Sequence, residues 1–594
     1  MPVNQKNDLV KKALALGVSS YQSANFPQAK SLFQKVLQLD DNNFYALHFL
    51  GIILLQEHNY KIAHLLLVKA QSLKPKDAEV AHHLGLAFKG LGDANKASYC
   101  FAKAVKLQPS LAVAHLGYAD VVSSMGRYEE AIKAYLAALK HDSTLIKAHN
   151  NLGTVYRKKA DLASAIAFYK SALVLDPSRL DIHSNLLMCM ASSDGVSPSE
   201  YLKEALCYGT QAQKTADSYT DWPLLDKSSG KTLNVGFVSG DLRNHPVAAF
   251  IESFIGCFDD GKISLTAFST TSQVDKVSER LKGYFKDWHC IEALTDKDAA
   301  TLIYQSKVDI LIDLSGHTAG NRLSLFAWKP APIQVSWIGY FASTGVSEID
   351  YILTSNALSP PEYESHYIEQ QWHIDSAGCL KVPSVDVVVE SLPALKNGYV
   401  TFGSFHSLAK LSDAVIETWC EILHRVPNSK LFFKCKELVD SAFRERLIAK
   451  CEGFGIDGNR LLLEEASPLP EYFEAYNSID IGLDPFPYNS GTVSYHSLWM
   501  GVPYIALKGD RILSRIGFAN LSQVGLGALV ANDREGYVER AVQFASNIEE
   551  LASIRAGLRE KAVRSGLFDG LKIAKELEHV FRDMWQCHLQ KDNK

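Results

Sequence analysis

Two segments of the sequence place a histidine shortly after a run of apolar and β-branched residues. In NVGFVSGDLRNHP, Asp241 and His245 follow such a run and precede an amphipathic stretch. Because imidazole titrates near neutral pH, a loop histidine four residues from an aspartate is a candidate general base or hydrogen-bond donor. DLSGHTAGNR places His317 in a similar position. A helix-capping aspartate beside an incidental histidine explains the first segment as well, so acid–base chemistry is one of two interpretations.

Two further segments could hold a phosphate group. Lys410 ends TFGSFHSLAK, where a lysine is a point charge able to reach a diphosphate, although a solvated surface lysine is the commoner case. In LDPFPYNSGTVSYHSLW, residues Asn489 to Thr492 open a predicted helix, whose first N–H groups and dipole attract anions. Gly339 in IQVSWIGYFASTG would let a ligand approach the backbone closely.

Several common motifs are missing from the sequence. Neither G-x-G-x-x-G nor G-x-x-x-x-G-K-[ST] occurs, which disfavours a nicotinamide dinucleotide site and P-loop hydrolysis of nucleoside triphosphates. There is no D-x-D pair after a predicted strand, no H-E-x-x-H and no cluster of His and Cys. We therefore expect no obligatory metal and no other cofactor.

The elements that position these residues are short β-rich runs alternating with helical patterns. A first series, over residues 231–390, contains TLNVGFVSG, SLTAFST, VDILIDLSG, IQVSWIGY and IDYILTS. A second series, over residues 397–590, contains YVTFGSF, KLFFKC, RLLLEE, IDIGLDPF and VPYIAL and ends in helices. Such alternation predicts two α/β lobes with parallel sheets, whose functional residues follow the carboxyl ends of the strands. Two lobes in tandem suggest a ligand cleft between them.

Residues 8–191 repeat with a period of 34. Gly17, Gly51, Gly85, Ala119 and Gly153 lie one period apart, and sixteen residues after each comes a large residue, as Phe33 or Tyr169. This is the tetratricopeptide pattern in five full copies and a sixth, partial one, followed by linker helices over residues 192–230. Such repeats form a superhelix whose concave side binds extended peptides.

Asn151 and Asn185 occupy one repeat position, a period apart. A row of asparagine amides can hydrogen-bond a peptide backbone without reading its sequence, while two exposed helical asparagines are the alternative.

Composition excludes other classes of protein. With 594 residues, 47% of them hydrophobic, the chain can build large cores, yet no apolar run is long enough to cross a bilayer. The segment MPVNQKNDLVKK has no apolar region, so we do not expect it to be a signal peptide. Ten cysteines without a C-x-x-C pair predict buried thiols in a reducing cytoplasm. The basic excess of the first 180 residues is spread along helices, so we expect neither nucleic acid nor a membrane as partner.

The repeats together with VSGDLRNHP, KPAPIQVSWIGYFASTG, FGSFHSLAK and LDPFPYNSGTVSYHSLWMGVP closely resemble the protein O-GlcNAc transferase and SPINDLY family. The resemblance implies a GT-B fold, in which two Rossmann-like lobes hold a nucleotide sugar without a metal. It implies an inverting transfer of the sugar to Ser or Thr hydroxyls of proteins, with UDP-GlcNAc as first donor. It further implies that the repeat groove holds the acceptor and that the repeats could form a homodimer.

The resemblance also assigns roles by motif. His245 matches the catalytic-loop histidine, Asp241 the proton-relay aspartate and Lys410 the lysine that neutralises the departing diphosphate. Asn151 and Asn185 match an asparagine ladder for the acceptor, and Thr492 matches a phosphate-contacting threonine. The other nucleotide-sugar candidates are Gly339, Ser407, Ser467, Pro468, Leu469, Tyr472, Gly491, Val493 and His496, and the other acceptor candidates are Tyr208 and His317.

Several of these positions depart from the family pattern. Tyr208 and Gly491 stand where histidines are expected, and His496 stands where an acidic residue holds the donor ribose. Ser407 stands for Gln or Asn, and Val493 for a threonine. The alternatives are therefore a protein O-fucosyltransferase using GDP-fucose, as in SPINDLY-type proteins, a glucosyltransferase, and a non-catalytic repeat scaffold with a degenerate transferase half.

Overall fold

The computed structural model of the chain describes residues 3–222, 226–375 and 378–592. The chain forms two compact units. The first runs up to Lys159 and includes Ser164–Asp176, and the second contains Ala160–Ala163 and everything from Pro177 onward.

The first unit is built from five antiparallel helix pairs, as the 34-residue period predicts. The helices are α1 (Val3–Gln22), α2 (Phe26–Leu39), α3 (Phe44–Gln56), α4 (Tyr60–Leu73), α5 (Ala78–Gly90), α6 (Ala94–Leu107), α7 (Ala112–Ser124), α8 (Tyr128–His141), α9 (Ile146–Lys158) and α10 (Leu162–Leu175). Asparagine or aspartate side chains cap the N-termini of α2 to α6 by accepting a backbone N–H of the first turn.

The repeated glycines have a packing role. A Cβ on Gly17 would lie 2.7 Å from Phe33, and one on Gly85 would lie 2.8 Å from Phe101. Real Cβ atoms do not approach other atoms so closely. The first helix of such a pair therefore needs a residue without a side chain at the point where the large side chain of the second helix contacts it. The same pairing recurs at Gly153 and Tyr169.

Three histidines lie close together within the first unit. His48 Nε2 is 3.0 Å from His83 Nδ1, and the rings of His82 and His83 meet edge to face. Burial lowers the pKa of His82 to about 4, and burial with the neighbouring imidazoles lowers that of His83 to about 3. All three side chains are therefore neutral in the folded unit at neutral pH.

We expect acid to destabilise the first unit. The folded-state pKa values of these histidines lie below the ordinary 6.5. Their contribution to the free energy of unfolding is therefore complete above pH 6.5 and is lost as the pH falls toward 4. His82 alone would account for about 3 kcal/mol of this free energy of unfolding. The eight tryptophans all lie beyond residue 221, so tryptophan fluorescence follows the second unit separately, while circular dichroism should lose helix signal over this pH range. Helix signal that is unchanged down to pH 4 would contradict this.

The second unit begins with α11 (Leu180–Ala191) and α12 (Pro198–Gln213). Its first lobe contains β1 (Leu233–Ser239), α13 (Pro246–Phe254), β2 (Ile263–Ser269), α14 (Lys276–Lys282), β3 (Asp287–Cys290), α15 (Asp296–Gln305), β4 (Ile310–Asp313), α16 (Leu323–Phe326), β5 (Ile333–Ser336), β6 (Tyr351–Thr354) and β7 (Gln370–His373). The partial sixth repeat, α11, thus groups with the α/β part of the chain. Residues 223–225 of the predicted linker lie outside the described residues.

The second lobe follows α17 (Pro393–Asn397). It contains β8 (Thr401–Ser404), α18 (Asp413–Arg425), β9 (Lys430–Lys434), α19 (Ser441–Gly453), β10 (Leu461–Glu464), α20 (Leu469–Glu474), β11 (Ile481–Leu483), α21 (Thr492–Trp499), β12 (Tyr504–Leu507), α22 (Ile516–Gln523), β13 (Val530–Ala531), α23 (Arg534–Ala545), α24 (Ile548–Arg564) and α25 (Gly570–Asp592).

Both sheets are parallel and doubly wound. The strand order is β3-β2-β1-β4-β5-β6-β7 in the first lobe and β10-β9-β8-β11-β12-β13 in the second. In each sheet the order reverses beside the first strand, between β1 and β4 and between β8 and β11. Ligands of such sheets bind outside the carboxyl ends of the strands at this reversal. The predicted fold class is confirmed: helical repeats are followed by two Rossmann-like lobes.

The last helix differs from the prediction. The sequence assigned the C-terminal helices to the second lobe, but Ile573, Leu577, Phe581 and Trp585 of α25 are buried in the core of the first lobe. Arg582 of α25 donates to the carbonyls of Ser229 and Lys231, both at 2.8 Å. The chain therefore crosses back and ties the lobes together.

The cysteines are less uniformly buried than predicted. Six are buried, but Cys207 on α12 and Cys290 on the edge strand β3 are exposed, because each lies on an outer surface of its element. Within the described ranges, no helix is long and apolar enough to span a membrane.

Candidate active site

A cavity of about 790 Å³ lies between the two lobes of the second unit. His245, Thr318 and Gly339 line it from the first lobe, and Lys410 and Thr492 line it from the second. Residues that follow different strands in the sequence thus line the same cavity. This is expected because the strands of a parallel sheet present their carboxyl ends at one edge. Ser407, Gly491 and Val493 also line the cavity.

The first-lobe wall carries the predicted histidine–aspartate pair. His245 caps the N-terminus of α13, where its Nδ1 accepts the Val247 N–H at 3.3 Å. Nδ1 also lies 3.5 Å from Oδ2 of Asp241, which is buried behind it, while 39% of the His245 side chain is exposed. Burial raises the pKa of Asp241 and lowers that of His245, and the attraction between the two opposes both shifts. The arrangement leaves a neutral imidazole on the cavity wall with a carboxylate behind it.

The second-lobe wall carries the cation. Lys410 ends a 3₁₀ turn after β8, and its Nζ donates to the carbonyl of Asn489 at 3.1 Å and lies 3.6 Å from the centre of the Tyr488 ring. Burial lowers the pKa of Lys410 to about 8, with Asp484 opposing the shift. The lysine is therefore charged at neutral pH and is held against the loop that begins α21.

That loop and the first turn of α21 form the predicted anion seat. Asn489 and Ser490 are buried, the Asn489 amide donates to the Pro485 carbonyl at 3.0 Å, and the Ser490 N–H donates to Asp484 Oδ1 at 3.0 Å. A Cβ on Gly491 would meet nothing within 4 Å, so the backbone there is open to a ligand. The N–H groups of a first helical turn favour an anion.

Two residues of this wall and one residue behind it were not predicted from the sequence. His406 lines the cavity two residues after β8, Asp484 follows β11, and Tyr488 lies under the Lys410 ammonium. Their position in the sequence could have indicated them. His406 and Asp484 each follow, within two residues, one of the two strands at which the strand order of the sheet reverses.

Other predicted donor-site residues lie elsewhere. Among the described residues, Ser467, Pro468, Leu469, Tyr472 and His496 are not part of the cavity lining. Leu469 is exposed at the start of α20, and the Tyr472 hydroxyl hydrogen-bonds His496 Nδ1 at 3.1 Å. Burial lowers the pKa of His496 to about 4. The ring of His496 also meets Phe473 edge to face, and its role in donor binding stays a prediction.

The acceptor-site predictions for Tyr208 and His317 are also corrected. Both side chains are buried and meet edge to face, with ring centres 4.6 Å apart. His317 uses both ring nitrogens, Nδ1 with Ser184 Oγ at 3.1 Å and Nε2 with the Thr344 carbonyl at 2.9 Å. Burial lowers the pKa of His317 to about 3 and raises that of Tyr208. These side chains join α11 and α12 to the first lobe and are closed to an acceptor.

The two predicted ladder asparagines fall in different units. In the first, Asn151 on α9 donates to Asp120 Oδ1 at 2.8 Å. Asp120 also pairs with Lys89 at 2.8 Å and Lys147 at 3.0 Å. Asn185 lies on α11, in the second unit. Across the described ranges, no group of three or more His, Cys, Asp or Glu side chains is arranged to hold a metal ion.

Gly339 lines the cavity, but backbone packing explains the glycine. A Cβ there would lie 1.6 Å from the carbonyl oxygen of Leu314. We therefore expect Gly339→Ala to destabilise the second unit by about 3 kcal/mol, because the loop after β5 must move off β4. Gly491→Ala, with open space around the new methyl, is the control. Thermal unfolding measures both, and equal melting temperatures for the two variants would contradict the expectation.

Comparison with known proteins identifies the family. The sequence profile of glycosyl transferase family 41 matches residues 203–377 and 369–577, and tetratricopeptide profiles match residues 78–111, 119–160 and 146–179. The chain therefore belongs to glycosyl transferase family 41, with tetratricopeptide repeats before the transferase part. The resemblance found in the sequence is confirmed.

Individual relatives agree with this assignment. A tomato protein named probable UDP-N-acetylglucosamine–peptide N-acetylglucosaminyltransferase SPINDLY is 35% identical over 65% of this chain and 42% of its own length. An Arabidopsis thaliana SEC protein with the same activity name is 29% identical over 62% of this chain and 38% of its own. The chain thus spans about two fifths of the length of these curated relatives.

A solved structure matches nearly all of the chain. A mutant O-GlcNAc transferase of Thermobaculum terrenum has a TM-score of 0.71 and is 26% identical, with 99% of each chain covered. The match extends over repeats and transferase lobes alike.

Proposed function

We propose that this protein is an inverting protein O-glycosyltransferase that moves GlcNAc from UDP-GlcNAc to Ser or Thr hydroxyls of proteins. One observation carries the proposal: a neutral histidine with a carboxylate behind it and a lysine beside a helix N-terminus line one cavity between the two lobes. The family, and the names of the relatives, supply the substrate class.

The proposed chemistry separates two tasks between the lobes. The acceptor hydroxyl attacks the anomeric carbon and loses its proton toward His245, with Asp241 stabilising the imidazolium that forms. As the bond from the anomeric carbon to the diphosphate breaks, negative charge grows on the leaving oxygens. Lys410 and the first turn of α21 face that charge, so in this proposal they carry it and no metal is needed. Attack from the side opposite the leaving group inverts the anomeric carbon.

The repeats supply the acceptor side of the proposal. An acceptor segment would bind the first unit through its backbone, with Asn151 among the donors. The reaction would take place in the cytoplasm, in keeping with cysteines that form no C-x-x-C pair.

We expect Asn151→Ala to raise KM for protein acceptors about fivefold, the effect of one hydrogen bond, while KM for short peptides that reach only the cavity stays unchanged. Steady-state kinetics with both acceptor types measure this difference. An equal effect on proteins and peptides would argue against a groove that reads the backbone.

Donor identity is tested by calorimetric titration of the full chain with UDP and with GDP. Binding of UDP alone supports the proposal, binding of GDP alone replaces the donor by a GDP-sugar, and binding of neither reduces the chain to a repeat scaffold. Intact-mass measurement of an acceptor pool incubated with UDP-GlcNAc then tests transfer, because each transferred GlcNAc adds a defined mass.

A further inference from the structure

A buried histidine of the second-lobe cavity wall lies against a buried aspartate behind that wall. His406 lines the cavity and is 7% exposed, and Asp484 is 2% exposed. The two come from neighbouring strands, β8 and β11, and His406 Nε2 lies 3.5 Å from Asp484 Oδ1. Neither residue has a role in the chemistry proposed above.

The hydrogen bonds of this pair are incomplete. His406 Nδ1 hydrogen-bonds Ser404 Oγ at 2.9 Å, and Asp484 Oδ1 accepts the Ser490 N–H. Within the described part of the chain, His406 Nε2 and Asp484 Oδ2 have no hydrogen-bond partner. Buried polar atoms are normally paired, so two such atoms on adjacent side chains at a cavity wall indicate that a bond is completed in another state of the site.

Two charged groups act on His406 in opposite directions. Asp484 favours the charged imidazolium, whereas Lys410 and burial oppose it, and the net effect lowers the pKa of His406. Asp484 is in turn faced by the phenols of Tyr504 and Tyr537, which are neutral because burial raises their pKa values. Burial and Lys410 together therefore leave His406 neutral at neutral pH.

We propose that His406 takes up one proton from solvent when a nucleoside diphosphate occupies the cavity, so that the leaving group faces two cations instead of one. This rests on the proposed function, since it requires the diphosphate to lie against Lys410. The anion cancels the repulsion from Lys410, and Asp484 then favours the imidazolium. In the His406 imidazolium, the Nε2–H donates to Asp484 and the Nδ1–H donates to Ser404, so both ring nitrogens have a hydrogen-bond partner. The proton returns to solvent when the diphosphate leaves.

Calorimetric titration with UDP and GDP, repeated in buffers of different ionisation enthalpy at pH 7, measures the protons taken up on binding. We expect the wild-type chain to take up several tenths of a proton more than His406→Asn, whose amide keeps the size of the side chain and hydrogen-bonds without titrating. His424→Asn removes an exposed histidine of α18 from the same lobe and should match the wild type.

The pH dependence of Kd gives a second readout that a merely structural role would not move. From pH 6 to 8 the wild-type affinity should fall more steeply than that of His406→Asn. Equal proton uptake and equal slopes in the two proteins would overturn the inference and leave the proposed function intact. If neither nucleotide binds the wild-type chain, the proposed function fails and this inference fails with it.

Discussion

Lys410→Ala should lower kcat about a thousandfold while the fold survives. The ammonium of Lys410 lies 3.1 Å from the carbonyl of Asn489, in the loop that precedes α21. Removing one preorganised group that faces developing charge has effects of this size. The side chain is only partly buried and, among the residues that the structure describes, forms no ion pair, so circular dichroism and the melting temperature should stay near wild type. Transfer of GlcNAc measured by mass spectrometry gives kcat.

The matched control for this variant is Lys430→Ala. Lys430 also places its ammonium over a tyrosine ring, that of Tyr399 at 4.7 Å, but on the first residue of β9 and away from the cavity. It should retain full activity.

The wild-type rate should also fall as the pH rises through about 8, because Lys410 then loses the proton that makes it a cation. Near-normal turnover by Lys410→Ala would remove this lysine from the mechanism.

His245→Asn should lower kcat by about 10³-fold, within the range for general base catalysis. Asparagine still caps α13, so the first turn keeps its hydrogen bond and the loss can be assigned to the missing imidazole. The wild-type kcat should decline only below the ordinary histidine pKa of 6.5, since burial lowers the pKa of His245. This acid limb should be absent from the variant.

His289→Asn is the control for that experiment. His289 lies on the edge strand β3 and stacks on Phe268, outside the cavity lining. Its replacement should leave both kcat and the acid limb unchanged. A His245→Asn protein with an unaltered pH profile would show that the acceptor proton leaves by another route.

The repeats were predictable because their packing rule is local. Gly17 faces Phe33 sixteen residues away, and the same contact returns at Gly51, Gly85 and Gly153, so one repeated pattern specifies both helices of each pair. The partial sixth repeat was harder. Its helix α11 follows the repeat pattern, but Ser184 on it bonds His317 in the first lobe, a contact that no repeat period predicts.

The site was predictable where residues follow strand ends. His245 after β1 and Lys410 after β8 line one cavity because parallel strands present their carboxyl ends at the same edge. The same rule was too coarse for His317, which also follows a strand but is buried by α11 and α12. Motif matches likewise could not show that His496 hydrogen-bonds the Tyr472 hydroxyl.

The sequence by itself determined the elements of this protein: a 34-residue helical period, two series of buried strands, and polar residues at strand ends. These follow from side-chain size and spacing along a few turns of chain. Only the tertiary structure decided which of those residues share a cavity, that α25 completes the core of the first lobe, and that Asp484 lies behind His406. Such contacts join residues far apart in the chain, and their free energy depends on burial and charge that exist only after the lobes have packed.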